Sequence, residues 1–153
     1  ENYELSVKEG GKKGVAIEGG HINLFLGNKS PLREPQIRAG RQLKNWYLEF
    51  ATQHINKRVD VFSSIMKEDI HLIQVKNFKS QWGSCSAQGD LKFNWRLIMA
   101  PPEVLDYVVV HELAHLKHHN HSKKYWAHVS TYLPEYSEQK KWLKDFGRTL
   151  RWD

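Results

Sequence analysis

The chain has 153 residues, 40% of them hydrophobic and 26% charged, with a formal net charge of +6. That balance is ordinary for a soluble globular domain and excludes a disordered chain, a collagen-like repeat and a coiled coil. No run approaches the roughly 18 apolar residues of a membrane span, and a single cysteine, Cys85, excludes an internal disulfide.

The start, Glu1-Asn2-Tyr3-Glu4, has neither the basic nor the apolar character of a secretory signal. Because residue 1 is not Met, a preceding segment is expected, and the lone thiol points to a reducing, cytoplasmic setting. Tyr3, Leu5 and Val7 alternate with polar residues, and Ile22, Leu24 and Leu26 do so again. With Gly10-Gly11 and Gly19-Gly20 between them, residues 1–27 read as β-hairpins. Asn28 to Pro35 is a connector. A helix over about residues 36–58 follows, with Leu43, Trp46, Tyr47, Phe50, Ala51, His54 and Ile55 on one stripe. A short strand is expected from Ile70 to Phe78.

Residues 89–100 alternate with period two. Leu91, Phe93, Trp95, Leu97 and Met99 face one way, and Lys92, Asn94, Arg96 and Ile98 the other, as in an antiparallel strand. Pro101-Pro102 ends it and opens a helix from about Glu103 to His118. The β-branched run Val108-Val109-Val110 argues for a strand by propensity alone, but the motif it leads into requires a helix. A third helix spans about Ser122 to Leu133, with Ser122 as N-cap and Tyr125, Trp126, Val129 and Tyr132 on one face. Pro134 opens a last helix carrying Trp142, Leu143 and Phe146, closed by Gly147.

His111-Glu112-Leu113-Ala114-His115 is an H-E-x-x-H motif. On a helix, residues i and i+4 share a face with an axial rise of about 6 Å, so two imidazoles can converge on one ion at about 2.0–2.1 Å. Glu112 is rotated by about 100° from His111, which suits a water on the ion better than the ion itself. The spacing therefore assigns two ligands and one general base. The surroundings, Val-Val-Val before and Leu-Ala within, are apolar, and polar groups buried there need a partner.

A catalytic site needs a third protein ligand and one open position. His118 lies about 10.5 Å from His111 along a continuing helix, too far to share an ion, and His119 fails similarly. His121 follows Asn120, which tolerates a helix-ending left-handed turn, and such a turn swings His121 back beneath the ion. Glu135, twenty residues after His115, is the alternative. Its other reading is a favourable charge in the first turn of the last helix. The expected ion is zinc, and an imidazole-rich set also accepts Ni, Co or another divalent metal.

Trp82, Ser84 and Asn94 are candidate substrate-binding residues. The Trp82-Gly83-Ser84-Cys85 run either lines the site or turns the chain, and Asn94 either meets substrate or is an exposed strand residue. Cys85 lacks a visible base to make it a nucleophile, and as a fourth ligand it would close the site. Tyr107 and Tyr132 are weighed as oxyanion stabilisers against plain packing, and Tyr125-Trp126 reads as core.

The runs Gln81-Trp82-Gly83-Ser84-Cys85-Ser86, Phe93-Asn94-Trp95-Arg96-Leu97, Ala100-Pro101, Tyr107 to His115, and Asn120-His121-Ser122 with Tyr125-Trp126 resemble the YgjP-like metallopeptidase domain family, related to SprT-like zincins. The resemblance covers roughly residues 36–148. It implies an α+β, zincin-like single domain over residues 1–153. That domain would have N-terminal hairpins in 1–27, a small antiparallel sheet, about four helices and the metal site within 36–153. It implies zinc held by His111, His115 and His121, with Glu112 as base, and a peptide or protein substrate. It also implies that the sheet edge nearest the ion, expected to be Leu91–Met99, pairs with the substrate backbone. Family members commonly carry Arg where this chain has Gln81. Some are assigned nucleotide pyrophosphatase activity, so hydrolysis of a nucleoside triphosphate is the alternative. That alternative draws on the positive excess in residues 76–153. A non-enzymatic zinc module binding nucleic acid is the third reading, which a fourth protein ligand would favour. No membrane partner is expected.

Overall fold

Gly19 and Gly20 both have positive φ, 56° and 79°, the geometry of a tight type I′ hairpin turn. They join strand β2 (Gly10–Glu18) to β3 (His21–Gly27) in antiparallel register, Glu18 opposite His21. The computed structural model describes residues 4–27 and 35–150. The expected connector therefore lies, apart from Pro35, outside the described residues. Gly10-Gly11 does not make a second hairpin. Strand β1 (Glu4–Lys8) pairs parallel with β3, giving the order β1-β3-β2. Ile22, Leu24 and Leu26 of β3 are buried, whereas Leu5 and Val7 of β1 are exposed.

Helix α1 runs from Pro35 to Met66, eight residues past the predicted end. The chain divides into two compact units, residues 1–49 and 50–153, and the boundary falls inside this helix. In the first unit Gln42 donates from Nε2 to the carbonyls of Gly14 and Phe25, each at 2.8 Å. In the second, Ala51, Ile55, Val59, Phe62 and Met66 are buried at helical spacing. Phe50 and His54, placed on the stripe by sequence, are exposed and stack on each other instead. Lys67 ends the helix with φ 57°, and Glu68 donates its N–H back to the Ser63 carbonyl at 3.0 Å, a Schellman-type stop.

The second unit holds a three-stranded mixed sheet. Strand β4 (Leu72–Lys76) pairs parallel, and β5 (Gly83–Cys85) antiparallel, with β6 (Asp90–Asn94), so β6 is central. The strand expected over 89–100 thus ends at Asn94 and is no edge. Trp95–Met99 form a 3-10 turn, yet Leu91, Phe93, Trp95 and Leu97 are all buried, as the alternation required. Asn94 is 4% exposed rather than solvent-facing. Its Nδ2 donates to the Phe78 and Gln81 carbonyls at 3.1 Å each, and its Oδ1 caps the turn by accepting from the Arg96 N–H at 3.2 Å.

Helix α2 (Pro102–Ala114) starts on its proline and buries nine of its 13 residues, including Val108, Val109 and Val110. Tertiary burial overrides their modest propensity. Helix α3 (Lys123–Tyr132) is capped by Ser122, whose Oγ accepts from the Tyr125 N–H at 3.4 Å. Helix α4 (Tyr136–Phe146) leads into a 3-10 turn, Gly147–Thr149. Gly147 has an ordinary helical φ of −55°, so it is no left-handed cap. A Cβ there would meet the Trp82 ring at 3.0 Å, so glycine is set by packing. Among the described residues the fold is α+β, with four helices and two sheets of three strands, both mixed rather than the antiparallel sheet expected.

Arg58 of α1 grips Asp106 of α2 with both carboxylate oxygens, Nε to Oδ1 at 2.6 Å and an NH2 to Oδ2 at 2.8 Å. The pair is part-exposed, so Asp106→Asn is expected to lower unfolding free energy by about 1 kcal/mol, less at high salt. Urea denaturation at two ionic strengths measures this, and an effect that does not change with salt would refute an ionic origin.

Candidate metal centre

The buried, apolar length of α2 delivers His111, Glu112 and His115 to one end of the second unit. The helix stops just after Ala114, and the chain from His115 to Ser122 folds back on it. That return brings His121 to His111, Nε2 to Nε2 at 3.1 Å. Ligating atoms of His111, His115 and His121 all lie within 4.8 Å of one another. Tetrahedral bonds of about 2.0–2.1 Å place ligands about 3.3 Å apart, so the closest pair already has the spacing of a shared ion. Glu135 is exposed at the start of α4 and takes no part. His118 is not on the helix. Its carbonyl accepts from His115 Nδ1 at 2.9 Å, which leaves Nε2 of His115 as that ring's free lone pair.

Burial and neighbouring charges favour the neutral, ligating form of His111 and His121. His111 is pushed down to about 3, first by burial and then by His115, His121 and Lys140. His121 is lowered by burial, His115 and Lys140. The His111 backbone carbonyl accepts from the Tyr125 hydroxyl at 3.0 Å, and Tyr125 is fully buried. His111 Nδ1 is buried with no hydrogen-bond partner among the described residues, so the ring's function rests on its Nε2 edge. A three-nitrogen donor set of this kind fits a divalent ion of the zinc type.

Glu112 is 5% exposed, and burial alone raises its carboxyl to about 8. Room for it comes from β5. A Cβ on Gly83 would lie 2.5 Å from Glu112 Oε1, 2.7 Å from its Cγ and 2.9 Å from its Cδ. Sequence reasoning saw only a turn or a lining in this run, because the partner across the gap is 29 positions away in the chain. Gly83, Ser84 and Cys85 line a cavity of about 560 Å³ with Glu112, the three histidines, Ala87 and His119. Burial, then Glu112 and Asp90, push the Cys85 thiol up to about 11, so it stays a thiol and is a poor nucleophile.

Ser84 is therefore brought to the metal cavity, whereas Trp82 and Asn94 line a different one. Tyr107 and Tyr132 line neither. Tyr107 packs edge-on to His111, ring centroids 5.7 Å apart, and Tyr132 packs on His128.

A family model described as YgjP-like, metallopeptidase domain, matches residues 1–146. Two solved structures are similar in fold. The metallopeptidase zymogen of Pyrococcus abyssi abylysin has a TM-score of 0.54 at 19% identity, covering 61% of this chain and 95% of that one. The metallopeptidase zymogen of Methanocaldococcus jannaschii jannalysin has a TM-score of 0.52 at 26% identity, covering 62% and 96%. No curated protein matches the chain.

Two outcomes test the centre. Ala at His111, His115 or His121 is expected to weaken zinc retention by at least about tenfold, while His118→Ala and His119→Ala retain it. Metal analysis after dialysis reads this, and a His121→Ala protein with full metal would remove His121 from the set. Gly83→Ala is expected to displace the Glu112 carboxylate. Hydrolytic activity should drop about a hundredfold, as misplacement by about 1 Å can do, with metal content and circular dichroism unchanged. Full activity in Gly83→Ala would show that the contact does not position Glu112.

Proposed function

The chain belongs to the YgjP-like, metallopeptidase domain family, and from that premise we propose that it is a zinc-dependent peptidase. In this reading His111, His115 and His121 hold one ion and Glu112 is the general base. The observation that carries it is the placement of the Glu112 carboxylate in the wall of the cavity that the three imidazoles line. Zinc bound there would lower the pKa of a water toward about 7 and polarise the scissile carbonyl.

The proton chemistry belongs to Glu112. One carboxylate oxygen takes the proton of the attacking water and returns it to the leaving amine nitrogen. Burial makes this carboxylate a stronger base than a solvated glutamate. Fixed between α2 and the bare backbone of Gly83, it has little freedom to swing away. Strand β5, at the sheet's edge beside the cavity, takes the role expected of residues 91–99. Its outer side is unpaired among the described strands and can accept an extended peptide backbone. Among the described residues, no Lys or Arg lines the metal cavity. A scissile phosphoanhydride would call for cations there, so the peptide reading is favoured over the nucleotide one.

Glu112→Gln keeps shape and leaves the histidines intact. Zinc is expected to stay at wild-type stoichiometry while peptide hydrolysis falls by about 10²–10⁴-fold, the usual share of general base catalysis. Parallel metal analysis and peptide cleavage assays read both, and an active, fully loaded Glu112→Gln protein would exclude Glu112 as the base.

A further inference from the structure

A second cavity of about 660 Å³ includes Trp82, the residue just before β5, in its lining. Four cationic side chains line it, Lys79, Arg96, Lys144 and Arg148, and no Asp or Glu does among the described residues. They come from four separate segments: the loop before β5, the 3-10 turn after β6, the end of α4 and the turn beyond it. Lys144 alone is accounted for by the dipole at the end of α4. Lys79, Lys144 and Arg148 form no ion pair with a described residue. Arg96 is held in place by the Asn77 side chain at 2.5 Å and the Phe78 carbonyl at 3.2 Å, yet its Nε is buried without a hydrogen-bond partner among the described residues. Lys79, Lys144 and Arg148 are exposed, so solvent screens part of their repulsion, and an anion entering the hollow would offset the rest.

We infer that this cavity is a specificity subsite for an acidic side chain of the peptide whose backbone lies along β5. The inference rests on the peptidase reading. Extended backbone rises about 3.3 Å per residue, so Trp82, one residue before β5, is at most about 7 Å along the chain from Ser84 in the metal cavity. A peptide in register with the strand therefore places its acidic residue two or three positions from the bond cleaved. Arg96 and Arg148 suit a carboxylate through their planar donor sets, and the lysines add point charge.

The test uses the zinc-loaded full chain and neutral peptides carrying one Glu, moved position by position, against the same peptides with Gln. Wild-type protein is expected to prefer one Glu position by about fivefold or more in kcat/KM at low salt, the preference shrinking as salt rises. In Lys144→Glu/Arg148→Glu the ratio should fall to one or below. In the exposed control Lys57→Glu it should persist, which separates the cavity from net charge. A ratio of one in wild-type protein, or one unmoved by the double variant, overturns the inference.

Binding to zinc-loaded Glu112→Gln protein by calorimetry separates this from the peptidase reading. Preference for the Glu peptide there, with no cleavage by wild-type protein, would sustain the subsite and sink the peptidase reading. A nucleoside triphosphate that displaces the Glu peptide at lower concentration than the peptide itself binds would overturn the assignment to an acidic side chain.

Discussion

The contact between Gly83 and Glu112 is the constraint on which the site depends. A carboxylate set into an apolar helix must be given space and a direction, because an unpaired charge in such surroundings is costly. Strand β5 supplies both by crossing α2 where it has no side chain. The strand is not free to choose that point. Gly83 pairs with Phe93, Ser84 with Lys92 and Cys85 with Leu91, and Phe93 and Leu91 are fully buried. The register of a small sheet core therefore fixes where the Glu112 carboxylate stands.

The three histidines are held by a different device. His111 and His115 share α2, but His121 arrives only because the helix stops and the chain returns. The His118 carbonyl that accepts from His115 belongs to that return, and Ser122 starts the next helix immediately after His121. Tyr125, from α3, reaches back to the His111 carbonyl. The turn therefore both delivers the third imidazole and orients the second, as outer hydrogen bonds do for metal-bound histidines.

These devices were legible to different degrees in the sequence. The pair His111 and His115 follows from helix geometry alone, and Ser122 from its capping chemistry. His121 needed one more step, a return of the chain after the helix, and it does stand beside His111. But the helix already ends at Ala114 and Asn120 has no positive φ, so the return is not the left-handed turn expected at Asn120. The strand over 89–100 misled because Trp95 and Leu97 keep the period-two burial after the backbone has left the strand for a 3-10 turn. Its central place in the sheet was invisible, since strand order depends on pairings across the chain and not on local alternation. Asn94 read as polar and therefore outward, but three hydrogen bonds to nearby backbone make its burial favourable. Gly83 and Gly147 both looked like turn residues. Each is glycine because a side chain remote in sequence occupies the space of its Cβ.

The distribution of positive charge follows the same logic of separation. A cation beside the three imidazoles would oppose a divalent ion directly. The described cation that does act on His111 and His121 is Lys140, and its ammonium sits over the Trp126 ring, 4.0 Å from the centroid, where the π-face offsets part of its charge. Four other cations, Lys79, Arg96, Lys144 and Arg148, line the second cavity together with Trp82. Trp82 lines the cationic hollow and not the metal cavity, and its ring is wedged against Gly147. The residue after it, Gly83, opens β5 and the wall of the metal cavity. Part of a net charge that looks diffuse in the sequence is thus gathered by the fold into one hollow, next along the chain to a cavity lined by imidazoles and one carboxylate.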